Sequence, residues 1–346
     1  MLALAACNKT PVDVNSMEGT ASTGYLQMTF PDGIETKAAA TSGEKKISTL
    51  LIAVFDQSGK LETLHECTAD EIAAASEGIV MNVRTGTKTV WAIANVDPAK
   101  LSSASTLDAY GKAEVLLSET GDSGFAMKGE ASQLAVKSDV TTAASITLRR
   151  FASRVSLVKV NNALPASYGK LTVKSAYLAN VVCNDNIAQD AQATLWCNPL
   201  GHNGTPLTAA NVIGNGSTVA ENPGLTFCTV GTDVQNGASA DFTGKYVYGF
   251  RNASAANPVA RSQGFPKNGC KSVLYVIATI GGTDYWYPVL IDTMASNYSS
   301  NVELTITMPG QRPDDEDFGT LVTKGKLDAT VTVSDWFDGS SYKETI

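Results

Sequence analysis

The sequence predicts an all-β fold: two tandem β-sandwich domains with a few short helices. Three observations carry this. Apolar residues recur with period two, in runs rich in β-branched and aromatic residues. Clusters of Gly, Asn, Ser and Thr separate the runs. Helix start and stop signals are rare.

Taken in order, the first strand is Gly24 to Phe30, where Leu26, Met28 and Phe30 alternate with polar Gln27 and Thr29 before the turn residues Pro31-Asp32-Gly33. Ile47 to Phe55 follows, apolar on both faces, and stops at Asp56-Gln57-Ser58-Gly59. Thr68-Ala69-Asp70-Glu71 is a capping-box pattern that opens a short helix through Ile72. Val80 to Arg84 and Thr87 to Asn95 read as strands, and Thr106 to Leu117 as a second helix with Leu107, Tyr110, Ala113 and Leu117 near helical spacing.

Between Ile146 and Leu157 the parity of the apolar positions flips. Ile146 and Leu148 are even; Phe151, Val155 and Leu157 are odd. A slip of one residue moves side chains to the other face, so a bulge or a change of sheet is expected near Arg149-Arg150. The domain boundary is placed there, giving a tether over 1–23, an N-terminal sandwich over 24–150 and a C-terminal sandwich over 151–346. In the second half, Leu171 to Val182, Thr226 to Val230, Lys245 to Phe250, Val273 to Ile280, Asn301 to Met308 and Leu327 to Val333 read as strands. Gly281-Gly282-Thr283 is a hairpin turn into Tyr285 to Val289. Asn198 to Pro223, rich in Gly, Asn and Thr, reads as a long surface loop.

Composition narrows the function classes. The chain has 346 residues, 43% hydrophobic and 17% charged, which is a folding composition rather than a disordered one. A net charge of −8, with no Lys/Arg cluster, argues against nucleic acid. No apolar run reaches the ~20 residues of a membrane-spanning helix. His65 and His202 are far apart, and no Cys/His pair has zinc spacing, which argues against a His-based metal centre. Beyond Cys7 there are five cysteines: Cys67, Cys183, Cys197, Cys228 and Cys270. The odd count leaves at least one thiol free. Cys183 with Cys197 is one pairing the sequence allows; the other reading is that all are buried and inert.

At the start of the chain, Leu4-Ala5-Ala6-Cys7 resembles a lipobox, in which small residues precede the Cys that takes a diacylglyceryl group. Cys7 is the expected lipidation site. No basic region precedes it, so a start further upstream is expected. The polar stretch up to Thr23 suits a tether, and two or three acyl chains would anchor it firmly at about 0.8 kcal/mol per buried CH₂.

Further motifs complete the picture. Tyr298 to Met308, Pro309-Gly310, the acidic Asp314-Asp315-Glu316-Asp317 and Leu327 to Trp336 resemble the C-terminal signature of FimA-type fimbrillins, lipoprotein-precursor subunits of type V pili. Leu51 to Asp56, Trp91 to Asn95, Phe125 to Gly129 and Leu148 to Val155 extend the likeness over nearly the whole chain. The resemblance implies sandwiches of transthyretin-like, Greek-key type. It also implies a precursor lipid-anchored at the outer membrane and a mature subunit on the cell surface in the fimbrium. A protease cuts behind the first strand, and a strand from a neighbouring subunit, generally its C-terminal segment, fills the groove this opens. Processing is thus expected between Lys37 and Ala38. The removable strand carries Tyr25, Leu26, Met28 and Phe30, and the candidate donor strand Phe337, Tyr342 and Ile346. Lys37 stands where the family usually has Arg, and no Arg precedes Arg84. Either a Lys-tolerant protease acts or the subunit stays uncut; an ordinary loop lysine is the plain alternative. Trp336 reads better as a plug of its own domain's core than as part of the donor.

The implied partners are neighbouring fimbrial subunits, a processing protease and a host or bacterial surface receptor, with no cofactor and no catalysis. Asp314 to Asp317 and Asn184-Asp185-Asn186 lack the Gly and spacing of an EF-hand loop, and no GxSxG, HExxH or P-loop motif is present. The rival reading is a tip or accessory adhesin that binds a glycan or protein and does not polymerise. Tyr285-Trp286-Tyr287 is its one aromatic cluster, but alternate residues of a strand face opposite sides.

Overall fold

A computed structural model describes residues 22–30, 42–121, 124–191, 193–198, 218–219, 224–242, 244–252, 271–291, 294–312, 327–335 and 341–345. The chain is all-β, with short helical turns at Ser42–Lys45, Ala69–Ala73 and Leu107–Gly111 among the described residues. It divides into two compact units. The first draws its described residues from 22–30, 45–113 and 124–149; the second takes 42–44, 114–121 and everything from 150 onward.

The first unit carries a five-stranded sheet in the order Leu61–Glu66, Leu50–Asp56, Gly86–Ala94, Met127–Val136, Arg149–Arg150, of whose last strand only Arg149 belongs to this unit. Its second strand is buried along its length, with Leu50, Ile52, Ala53, Val54 and Phe55 at 0% exposure, as the doubly apolar sequence requires. That strand starts three residues later than the sequence suggests. Asn95, with φ +57°, accepts the Ser48 N–H at 2.7 Å and donates to the Lys46 and Phe125 carbonyls, so a side chain replaces the ladder there. A smaller sheet places Thr23–Thr29 between Ile79–Arg84 and Thr141–Ser145.

In the second unit, Ala152–Asn162 pairs in parallel with Tyr298–Ile306 and antiparallel with Ser239–Asp241 and Tyr246–Phe250. Leu327–Asp335 and Ser341–Thr345 extend that sheet to its edge. A second sheet runs in the order Phe227–Val234, Leu171–Ala179, Ser272–Ile280, Thr283–Ile291. The last two strands are joined by the expected two-residue turn, Gly281 and Gly282 at φ +57° and +87°, values that admit glycine without strain. The parity flip near Arg149-Arg150 is a change of sheet: Arg149–Arg150 and Ala152–Asn162 belong to different ladders.

One expectation is corrected. The helix placed over Thr106 to Leu117 ends at Gly111. Glu114–Leu116 is instead a strand paired with Asn184–Asn186, which buries Val115 while Leu117 follows it into the core. A ladder partner thus overrides a helical spacing that Gly111 already weakens. Cys183 and Cys197 form a disulfide, Cys67 and Cys228 are free thiols, and Cys7 and Cys270 lie outside the described residues. Most of the 198–223 loop also lies outside them; within it, Thr218–Val219 pairs in parallel with Leu195–Cys197.

The second unit carries a fully buried charge cluster. Glu44 is at 0% exposure, Arg150 at 0% and Arg154 at 3%. Arg154 Nη1 donates to the Glu44 carboxylate at 3.2 Å and the Tyr248 hydroxyl donates to it at 2.8 Å. Arg150 donates through Nε and Nη2 to the Glu44 carbonyl at 3.0 and 2.8 Å. Burial lowers the Arg150 guanidinium to about 10 even against the nearby Glu44 charge, and burial with the same carboxylate raises the Tyr248 phenol. Removing one member of such a group leaves a buried charge without its counterion, at about 3–5 kcal/mol. Glu44→Ala should therefore lower the unfolding free energy by about that amount, read as a shift of the urea midpoint at constant m. Glu44→Gln should cost less, because its amide oxygen still accepts from Tyr248.

Candidate functional site

The feature best placed to do something is the first strand, Thr23–Thr29. Its core face holds Gly24, Leu26, Met28 and, just past its end, Phe30. Leu26 and Met28 are at 0% exposure and Phe30 at 4%. Each inward residue of the strand has a buried partner directly opposite on Ile79–Arg84: Gly24 faces Val83, Leu26 faces Met81 and Met28 faces Ile79. Such cross-strand pairs are the unit of sheet stabilisation. On the other side the strand runs parallel to Thr141–Ser145, with Met28 opposite Ala144.

Backbone bonds close both ends. At the start, Tyr25 N–H donates to the Val140 carbonyl at 3.2 Å and Thr85 N–H to the Ser22 carbonyl at 3.0 Å. At the finish, Ile146 N–H donates to the Thr29 carbonyl at 2.9 Å and Phe30 N–H to the Ala75 carbonyl at 3.2 Å. Among the described residues, Ile79–Arg84 and Thr141–Ser145 are bonded to this strand and not to each other, so the strand is the sole link in its sheet there. Gly24 is there because nothing larger fits. A Cβ at that position would lie 2.2 Å from the Lys137 carbonyl oxygen.

The structure separates the residues expected to act together. Leu26, Met28 and Phe30 fill the core, whereas Tyr25 points outward at 37% exposure, so three large side chains rather than four occupy the groove. Cys7, Lys37, Ala38, Trp336, Phe337 and Ile346 lie outside the described residues, as does Asp314 to Asp317. Tyr342 lies in Ser341–Thr345, the edge strand of its own sheet, in register with Val333. Asn184-Asp185-Asn186 is a strand, and the Asp185 carboxylate accepts from Arg251 Nε at 2.6 Å and Nη2 at 3.0 Å, an internal ion pair. Within Tyr285-Trp286-Tyr287, Tyr287 is fully buried and bonded to the Met308 carbonyl, while Trp286 packs on the opposite face with Tyr177 and Tyr275. The three rings therefore do not form one platform.

Residues 25–167 match the family model described as Major fimbrial subunit protein (FimA). Among solved structures, a candidate cell adhesion protein from Bacteroides eggerthii aligns over 93% of this chain and 98% of its own, at TM-score 0.61 and 15% identity. A fimbrilin (FimA) from Porphyromonas gingivalis aligns over 91% of this chain and 98% of its own, at TM-score 0.59 and 14% identity. These structures share the all-β fold. No curated protein matches the chain in sequence.

The assignment of faces is open to direct measurement. Met28→Ala should destabilise the first unit by about 2–5 kcal/mol. Gln27→Ala, one position away on the outer face, should stay within about 0.5 kcal/mol. Urea unfolding of the two variants reads both.

Proposed function

We propose that this chain, which resembles the FimA-type fimbrillins in sequence over residues 25–167 and in fold beyond them, is a structural subunit of a bacterial surface fimbria. In this reading it is assembled by protease-triggered strand exchange and serves adhesion. The observation that supports it best is the sole-link position of Thr23–Thr29. Removing that strand leaves two rows of unpaired backbone groups flanking a groove emptied of Leu26, Met28 and Phe30. An incoming strand restores both the hydrogen bonds and the apolar contacts. At about 1.5–3 kcal/mol per side chain, three anchors supply roughly 4.5–9 kcal/mol before the costs of association.

The chain's own part in the exchange is mechanical. Lys37-Ala38 is the processing point in this reading, Cys7 the lipid anchor of the precursor, and Phe337 to Ile346 the donor for the next subunit. The partners are then neighbouring subunits, a Lys-tolerant protease and a surface receptor, and no step requires catalysis by this chain.

One observation favours the second reading, a tip or accessory adhesin that does not polymerise. Ser341–Thr345 is paired with Leu327–Asp335 on the edge of its own sheet, and it must leave that position to serve a neighbour.

Limited trypsin digestion of the full chain separates the two, with intact mass before and after and sizing of the product. A cut after Lys37 followed by SDS-resistant ladders is the outcome expected of a polymerising subunit. Cut protein that stays monomeric, or a resistant Lys37, rules that role out in favour of the tip or accessory adhesin.

A further inference from the structure

We propose that His65, Cys67 and Glu71 form a binding site for one borderline-soft divalent cation of the zinc class. Their ligand atoms all lie within 4.8 Å of one another. His65 and Cys67 are two residues apart on an extended segment that continues the Leu61–Glu66 strand, since Cys67 N–H donates to the Leu50 carbonyl at 2.9 Å. Residues two apart on a strand share a face, and here both turn inward while Leu64 and Glu66 face solvent.

Glu71 reaches the same spot from the helix. It is the N3 residue of Ala69–Ala73, and the capping box turns its carboxylate back over the strand. Oε2 accepts the Thr68 N–H at 2.8 Å, which leaves Oε1 on His65 Nε2 at 3.0 Å. Burial alone would raise the Glu71 carboxyl, but the Thr68 N–H and His65 together hold it below the usual range, so it is anionic at neutral pH.

The geometry is near that of a tetrahedral site. Zinc bonds of about 2.0–2.3 Å put ligand atoms about 3.3–3.8 Å apart. The His65 Nε2–Glu71 Oε1 edge, at 3.0 Å, is already shorter than that, and all three ligand atoms lie within 4.8 Å of one another. One thiolate, one imidazole and one carboxylate suit zinc and its analogues, whereas calcium and magnesium demand oxygen ligands. The thiol supplies its electron pair by releasing one proton to solvent as the metal binds. Cys67 is 8% exposed, and burial with the Glu71 and Glu66 charges pushes its thiol up to about 12. Burial is the larger cause of that rise; the Glu71 and Glu66 charges add to it and also favour a cation beside the sulfur. Three protein ligands leave a fourth position for water, and a bound ion would tie the edge strand to the helix that follows it.

The test uses the full chain and cobalt(II) as the spectroscopic probe. Titration at neutral pH should saturate at one equivalent, with a near-ultraviolet thiolate-to-cobalt charge-transfer band that zinc(II) displaces. Cys67→Ser should abolish the band, Cys228→Ser should leave it unchanged, and His65→Gln should weaken binding at least about tenfold, with folding checked by circular dichroism. Should Cys67→Ser fail to fold, His65→Gln decides the matter. Absence of the band in the unmodified chain, its survival in Cys67→Ser, or unaltered affinity in His65→Gln overturns the site.

Discussion

The smaller sheet of the first unit hangs on a single insertion: Thr23–Thr29 standing between two strands that do not bond to each other. Strand addition usually extends a sheet at its edge, where the loss of one member leaves the rest intact. Here the member contributed by the beginning of the chain is the central one. The core above it, where Leu26 meets Met81 and Met28 meets Ile79, is assembled from residues about fifty positions apart. The proposed strand exchange follows from that dependence, because a centre supplied by one segment of the chain is one that a segment of another chain would fill in the same way.

The second unit is held differently. Its buried Glu44, Arg150, Arg154 and Tyr248 fix the segment around residues 42–44 by charge and hydrogen bonds rather than by a ladder. A cut after Lys37 would leave that cluster's covalent members intact. The anchoring of residues 42–44 therefore does not depend on the strand that processing would remove.

Local features of this fold are legible in the sequence and distant ones are not. The Thr68–Glu71 capping box and the Gly281-Gly282 hairpin each record an interaction within a few residues, and the alternation of Leu26, Met28 and Phe30 and the parity flip at Arg149-Arg150 record which face a short stretch buries without revealing its partner. Thr106 to Leu117 misleads because apolar spacing alone does not reveal that Glu114–Leu116 has a strand partner some seventy residues away. Glu44 is invisible for the same reason, with partners 106, 110 and 204 residues distant. Two arginines so near the apolar run of Val155 and Leu157 were the one hint that a buried counterion was needed. The His65, Cys67 and Glu71 cluster escapes a search for zinc spacing because its third ligand comes from a capping residue, whose position only the helix turn reveals.

The mixed pairing of the first strand has a consequence for polarity. One neighbour is antiparallel to it and the other parallel, so a substitute running in either direction meets one of each. Hydrogen bonding therefore carries no arrow. Shape does: the socket is tapered, with room for a benzyl group at the Phe30 end and for a lone hydrogen at Gly24, where the Lys137 carbonyl closes it. As built, it accepts bulk at one end and only glycine at the other. The steric gradient, and not the backbone, is what would set the direction in which a substitute strand lies in the groove.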